Sequence, residues 1–379
     1  MITRSLVQLG VAVDVATTND DGPRRRQDVA LATAIEREGV RHFFFPKQSE
    51  FYKFSLPLRR WLRQRLGDYD VIHVHALFSH SSVSAARAAR RAKVPCVIRP
   101  LGVLNRWGLH QRRRWFKALS LALIEKPLLR QAAAIHYTSV LERDEAEAAG
   151  VIGRGVVIPL GIDLQAVESK RCQPDDANAI WPELSRCEVV LFLSRLDPKK
   201  GLELLLEAFA RVVHRHPRTR LLIAGDGQAE YVAQLRGLAH KLGIGSQVVW
   251  AGHVEGGRKH AALAAASLFV LPSHSENFGI AAVEAMASGV PVVLTEGVAI
   301  AAEVAAAHAG QVPAREPAAV AEAIDAILGD ARLRQTLAEN ARQLAATAFS
   351  LEQMGKRLAE LYREVAERNA ALRTVCAAQ

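Results

Sequence analysis

SLFVLPSHSENFGIAAVEAMASGVPVVLTEG, residues 267–297, places two glutamates eight positions apart around the start of a helix that follows a buried strand. Glu276 precedes the helix and Glu284 lies within it. Between them, Asn277, Phe278 and Gly279 bring backbone N–H groups to a helix N-terminus. There the unpaired donors and the positive end of the dipole suit a phosphate. Carboxylates beside a phosphate site suit a ligand that carries both hydroxyls and phosphates, as a nucleotide sugar does. Taken alone, the pair reads equally as a solvated loop residue and a surface helix residue.

The neighbourhood changes that balance. VVLFLS before Arg195, RLLIAG before Asp226 and VVWAG before His253 are three further strand-like runs. In an open parallel α/β sheet, ligands bind outside the carboxyl ends of the strands, so these positions converge on one crevice. LSRLDPKKG, residues 193–201, sets Arg195 and Lys200 just before an amphipathic helix carrying Leu202, Leu205, Leu206, Phe209 and Val213. A cation at a helix start opposes the dipole, and an anionic ligand gives it a reason to be there. The Gly225-Asp226-Gly227 turn is weaker evidence, because such turns are common between strand and helix.

In order and spacing, SRLDPKKG, IAGDG, AGHV and SENFGIAAVEAMASGVPVV resemble the retaining glycosyltransferases of family 4, which have the GT-B fold. The resemblance runs from about residue 10 to the C-terminal helix. It implies an α/β protein of two Rossmann-like, doubly wound domains facing a central cleft. By the same resemblance, Arg195 and Lys200 bind the donor diphosphate, Glu284 binds the ribose, and Glu276 meets the transferred sugar near its reactive carbon. Backbone near Val254 approaches the base, with Asn277, Phe278, Gly279, Gly225, Asp226 and His253 completing the donor site. A sugar then moves from a nucleotide-diphosphate donor to a glycan or lipid-linked glycan with retained configuration, in cell-surface polysaccharide biosynthesis. The leaving phosphate takes the acceptor proton, while cations and helix dipole stabilise the developing charge. No metal and no cofactor beyond the nucleotide-sugar co-substrate is expected. The Asp-x-Asp spacing at Asp68-Tyr69-Asp70 comes before a strand, where it reads as a turn. A donor-binding but inactive homologue and a nucleotide-sugar epimerase of the same fold are the alternatives.

Composition sets limits. The 379 residues, 50% hydrophobic, suffice for two α/β domains. Cys96, Cys172, Cys187 and Cys376 have neither CxxC nor zinc spacing and read as reduced thiols. Without a spanning apolar run or a signal pattern, the expectation is a cytoplasmic protein, peripheral at the inner face of the membrane. Residues 1–170 hold 27 Lys+Arg against 16 Asp+Glu, the remainder 22 against 23. The excess gathers in LRRWLRQRL, residues 58–66, and HQRRRWFKALSLALIEKPLLR, residues 110–130. Both mix Arg with Trp or Leu, which suits an anionic membrane or a lipid diphosphate as well as it suits a solvated basic face. No nucleic-acid module accompanies the charge.

Strands are expected at 11–18, 42–45, 70–75, 94–98, 134–138 and 156–159, forming one doubly wound acceptor-side domain over residues 1–161. Polar, proline-bearing residues 162–187 read as a linker, 188–345 as the donor domain, and 346–379 as a helix crossing back to the first domain. Acceptor-side candidates are Arg99 and Asn105 in RPLGVLN, where Leu101 stands at the position of a histidine present in many family members. His73 and His75 on DVIHVH read as buried, satisfied strand histidines more readily than as functional ones. ITRSLVQLG reads as the last turns of a helix ending at Gly10. By this reading the first strand and its glycine-rich loop are lacking, and a form extended upstream by about 25 to 35 residues is expected to be more stable and more active.

Overall fold

The computed structural model describes residues 1–104, 114–169 and 172–377. The chain divides into two compact units, Met1–Gly161 with Leu351–Gln379, and Ile162–Ser350.

The first unit contains β1 (Asp14–Thr18), β2 (Ala34–Arg37), β3 (Val40–Phe45), β4 (Ile72–His75), β5 (Cys96–Arg99), β6 (Ala134–Tyr137) and β7 (Gly155–Val157). They form two sheets rather than the single sheet expected from sequence: β1-β3-β2, and a parallel β4-β5-β6-β7. The unanticipated β2 pairs antiparallel with β3 through a two-residue turn, Glu38 and Gly39, with φ of 51° and 74°. Positive φ at both centres matches the right-handed twist of the flanking strands, which makes this a tight hairpin.

Alternation along the parallel sheet sorts its two faces. Cys96 and Ile98 of β5 enter a core with Phe45, Leu58, Leu62 and Val74, whereas Val97 faces Leu351, Met354, Leu358 and Leu361. The last four belong to the helix Leu351–Ala377. Its buried residues recur at three and four positions, giving one apolar stripe that covers this face together with Leu6 of the helix Ile2–Gln8.

The second unit carries one six-stranded parallel sheet of β8 (Glu188–Leu193), β9 (Thr219–Ala224), β10 (Val248–Gly252), β11 (Ala266–Leu271), β12 (Val292–Leu294) and β13 (Gly310–Gln311). Its order is β10-β9-β8-β11-β12-β13. Helices cover both faces, so β8, β9 and β11 read as continuous apolar runs, and Val190, Leu191 and Phe192 are fully buried. Residues read as a linker belong to this unit. They fold into the helices Leu164–Ser169 and Pro174–Ile180, and Trp181 packs under the Arg258 guanidinium. The proline that suggested a break sits at the start of the second helix, where no N–H is required, beside a Gln173–Asp176 capping box.

Candidate functional site

Because every strand of the second sheet runs the same way, the loops after β8, β9, β10, β11 and β12 leave from one edge. Their backbones are bonded to one another. His274 N donates to Lys199 O at 2.8 Å, Glu276 N to Gly297 O at 2.8 Å, and Gly225 N to Gly252 O at 2.7 Å. At Gly225, φ is 152° and a Cβ would lie 1.8 Å from Ser194 O. Only glycine lets the β8 and β9 exits approach so closely.

These bonds bring Lys200 to Glu276. Lys200 ends a short turn capped by Asp197, whose carboxylate accepts from Lys199 N, and it is buried. Its ammonium makes an ion pair with Glu276 Oε2. Burial, then the adjacent Lys199 and Arg195 cations, push the Lys200 ammonium down to about 8. The touching carboxylate favours its charged form. Arg195 is exposed at the end of β8. An anion entering here therefore meets one exposed guanidinium and one buried ammonium.

The helix Ile280–Ala287 starts beside this pair. Gly279 is its N-cap, with φ of 87°, and no side chain caps the first N–H groups of the helix. Phe278 anchors the entry to the helix: it is buried and meets Phe349 edge-on at 5.6 Å. Glu284 lies one turn into the helix, its side chain 20% exposed, and accepts from Lys259 Nζ at 2.8 Å. No signal in the sequence pointed to Lys259, which comes from a separate helix, Gly256–Ala265. After β10, Val254 is buried while His253 is exposed beside Glu255. Asp226 is exposed and accepts from Gly227 N.

On the first unit, Arg99 ends β5, while Asn105 lies outside the described residues. His73, His75, Arg99 and His136 share the face covered by the C-terminal helix. His136 Nε2 is 2.9 Å from Ile158 O, which can only accept, so that nitrogen holds the proton. His136 Nδ1 then accepts from His73 Nε2 at 3.4 Å, and His73 Nδ1 from the Tyr362 hydroxyl at 2.5 Å. His73 is thus a satisfied sheet histidine, as its alternation with apolar residues indicated. Its partners His136 and Tyr362 had no such signal, because they come from other elements. Among the described residues, no group of three or more His, Cys, Asp or Glu is placed to hold a metal. No helix there is long and apolar enough to cross a membrane.

Solved structures share this architecture. Sucrose-phosphate synthase from Thermosynechococcus elongatus superposes with a TM-score of 0.73 at 23% identity, over 96% of this chain and 91% of that one. Anabaena Alr3699/HepE in complex with UDP-glucose gives 0.69 at 24% identity, over 86% and 87%. Two α/β units matched in this way define the GT-B fold. A profile described as Glycosyltransferase Family 4 matches residues 1–166, and one described as Glycosyl transferases group 1 matches residues 177–344. The chain is 32% identical to D-inositol 3-phosphate glycosyltransferase of Geodermatophilus obscurus, over 98% of its own length and 84% of that protein's. It is 32% identical to phosphatidyl-myo-inositol mannosyltransferase of Mycobacterium leprae, over 73% and 68%. The chain belongs to the group 1, family 4 glycosyltransferases.

Proposed function

We propose that this protein transfers a hexose, with retention, from a nucleotide-diphosphate sugar to a hydroxyl of a glycan or lipid-linked glycan, in the assembly of a cell-surface polysaccharide. The observation that carries this reading is the contact of buried Lys200 with Glu276 beside the N-terminus of the helix Ile280–Ala287. Lys200, Arg195 and that helix end take the diphosphate, and Glu284 takes the ribose. Glu276 holds the transferred sugar near its reactive carbon. The bond from that carbon to the leaving phosphate oxygen breaks as the acceptor oxygen bonds on the same face, and the acceptor proton passes to the phosphate. Fixed cations and N–H dipoles stabilise the charge that develops on the leaving group. These groups suffice without a metal, and the only cofactor-like requirement is the nucleotide sugar. Gly225 and Asp226 shape the phosphate edge, while Val254 and His253 flank the base.

The acceptor side falls to the first unit, through Arg99. Its basic stretch 110–130 docks the enzyme on the anionic inner face of the membrane from the cytoplasm. There Leu119 and Leu123 are 59% and 68% exposed, one helical turn apart. The deciding experiment is a thermal-shift panel of UDP-, GDP- and ADP-sugars, followed by measurement of nucleotide diphosphate release with and without glycan acceptor. Release that depends on acceptor and continues in excess EDTA supports the reading. Absence of release with every donor, or loss in EDTA restored by magnesium, refutes it in whole or in its metal-free part.

A further inference from the structure

Arg99 is 7% exposed, and its Nε is buried without a hydrogen-bond partner. Among the described residues its guanidinium forms no ion pair. Glu142 attracts it, yet both Glu142 oxygens are engaged elsewhere: Oε1 by Gly102 N at 2.6 Å, Oε2 by Thr138 N at 2.7 Å and Thr138 Oγ1 at 2.8 Å. Burial is the larger influence and works against the cation. A buried charge without a partner is costly, and folded chains retain one chiefly where something else supplies the counter-charge.

The surroundings indicate what that is. His75 is paired in register with Arg99 across β4 and β5 and is exposed. Its ring lies tilted against that of His73, with centroids 4.3 Å apart, and the His73 and His136 ring centroids are 5.2 Å apart. Arg357 of the C-terminal helix adds a further cation near His136. Among the described residues, this end of the sheet face thus gathers guanidinium, imidazole and phenol groups without a carboxylate bonded to them. It also lies at the carboxyl ends of parallel strands, where open α/β sheets receive ligands. Leu101, two residues on, is held at φ 62°, a conformation bulky residues avoid, and strain of this kind gathers at ligand-binding loops.

We infer that Arg99 and His75 form an anion subsite on the first unit that takes a phosphate group carried by the acceptor. Arg99 supplies the forked, permanent charge that matches phosphate oxygens, and His75 supplies a hydrogen bond from the exposed side. The inference rests on the transferase reading for calling the ligand an acceptor; the anion site itself does not depend on it.

The test uses the full chain and calorimetric titration with inorganic phosphate, a soluble polyol monophosphate, and phosphatidylcholine vesicles with or without phosphatidylinositol. Wild type should bind a phosphate-bearing probe. Arg99→Gln should bind it at least about tenfold more weakly, the loss expected for hydrogen bonds to a charged group. Arg99→Lys should recover part of the affinity, and His75→Asn, an exposed change that spares the fold, should weaken binding severalfold. Arg99→Gln should melt at or above wild type, since no partner is lost; a lower melting temperature would mark Arg99 as structural. Response to the soluble phosphate alone assigns the site to a free polyol phosphate, and response to the vesicles alone assigns it to a lipid headgroup. No binding by wild type, or equal binding by wild type, Arg99→Gln and His75→Asn, overturns the subsite. If UDP, GDP and ADP all fail to bind while Arg99-dependent phosphate binding persists, the transferase reading fails and the subsite stands.

Discussion

Lys200 combines burial, two cationic neighbours and one carboxylate contact, so its charge is both needed and easily lost. Lys200→Ala and Arg195→Ala should each slow turnover about tenfold or more with the fold retained, as checked by kinetics beside thermal melting. The lowered ammonium also sets a pH dependence. Its value of about 8 lies below the ordinary 10.5, so the free enzyme loses this charge as pH rises through 8. Accordingly kcat/KM for donor, which reports the free enzyme, should fall above about pH 8. Lys200→Met, already weak, should lack that limb. Glu276→Ala should depress transfer more than donor binding, and Glu284→Ala the reverse. That these four residues lie after strands of one sheet was legible, because glycine turns and apolar runs fix their distance from strand ends. Lys259, His136 and Tyr362 were not, because each reaches its partner through tertiary packing that leaves no trace in local spacing.

Among elements, the strand exits of the second unit are the least tolerant parts of the fold. Gly225→Ala would set a methyl group 1.8 Å from Ser194 O, and a cost of about 2–3 kcal/mol is expected, readable as a lower denaturation midpoint. The donor sheet was readable from sequence because doubly covered strands are uniformly apolar. The first unit was harder: β2 is short and mostly exposed, so nothing in its pattern outweighs an ordinary loop. The basic stretches also separate by element. In 58–66, Leu58, Leu62 and Leu66 are buried and Trp61 packs on Phe43 and Phe45, leaving a solvated basic face. In 110–130, Leu119 and Leu123 are exposed, and they are the residues that the proposed membrane dock would set against lipid. Binding to anionic vesicles should therefore weaken steeply with salt, as the screening length shortens to about 8 Å, and charge reversal at Arg112, Arg113 and Arg114 should abolish it. Of these, Arg112 and Arg113 lie outside the described residues. Equal binding to neutral vesicles would remove the electrostatic dock.

For the whole molecule, the return of the C-terminal helix to the first unit matters most. Tyr362, His73 and His136 form a one-way chain of neutral donors and acceptors, and a proton added at His136 Nδ1 would set two N–H groups face to face. Burial lowers His73 well below 6.5 and His136 to about 3, with His75, Arg99 and Arg357 adding repulsion. The unfolded chain thus binds protons first. Stability is full above about pH 6.5 and should decline as pH falls toward 3, by up to about 1.4 kcal/mol per pH unit for each histidine. Melting curves across that range, with His136→Asn showing a shallower decline, check this. The same connection has a consequence for synthesis. The second unit is one uninterrupted segment, Ile162–Ser350, and can close as soon as it leaves the ribosome. The first cannot, because the face bearing Val97, Ala134 and Ile158 stays bare until Leu358 and Leu361 are made. At about 5–20 residues per second, that face waits roughly 10–40 s, so the half of the protein translated first is the half completed last, and the nascent chain offers a chaperone an apolar surface throughout.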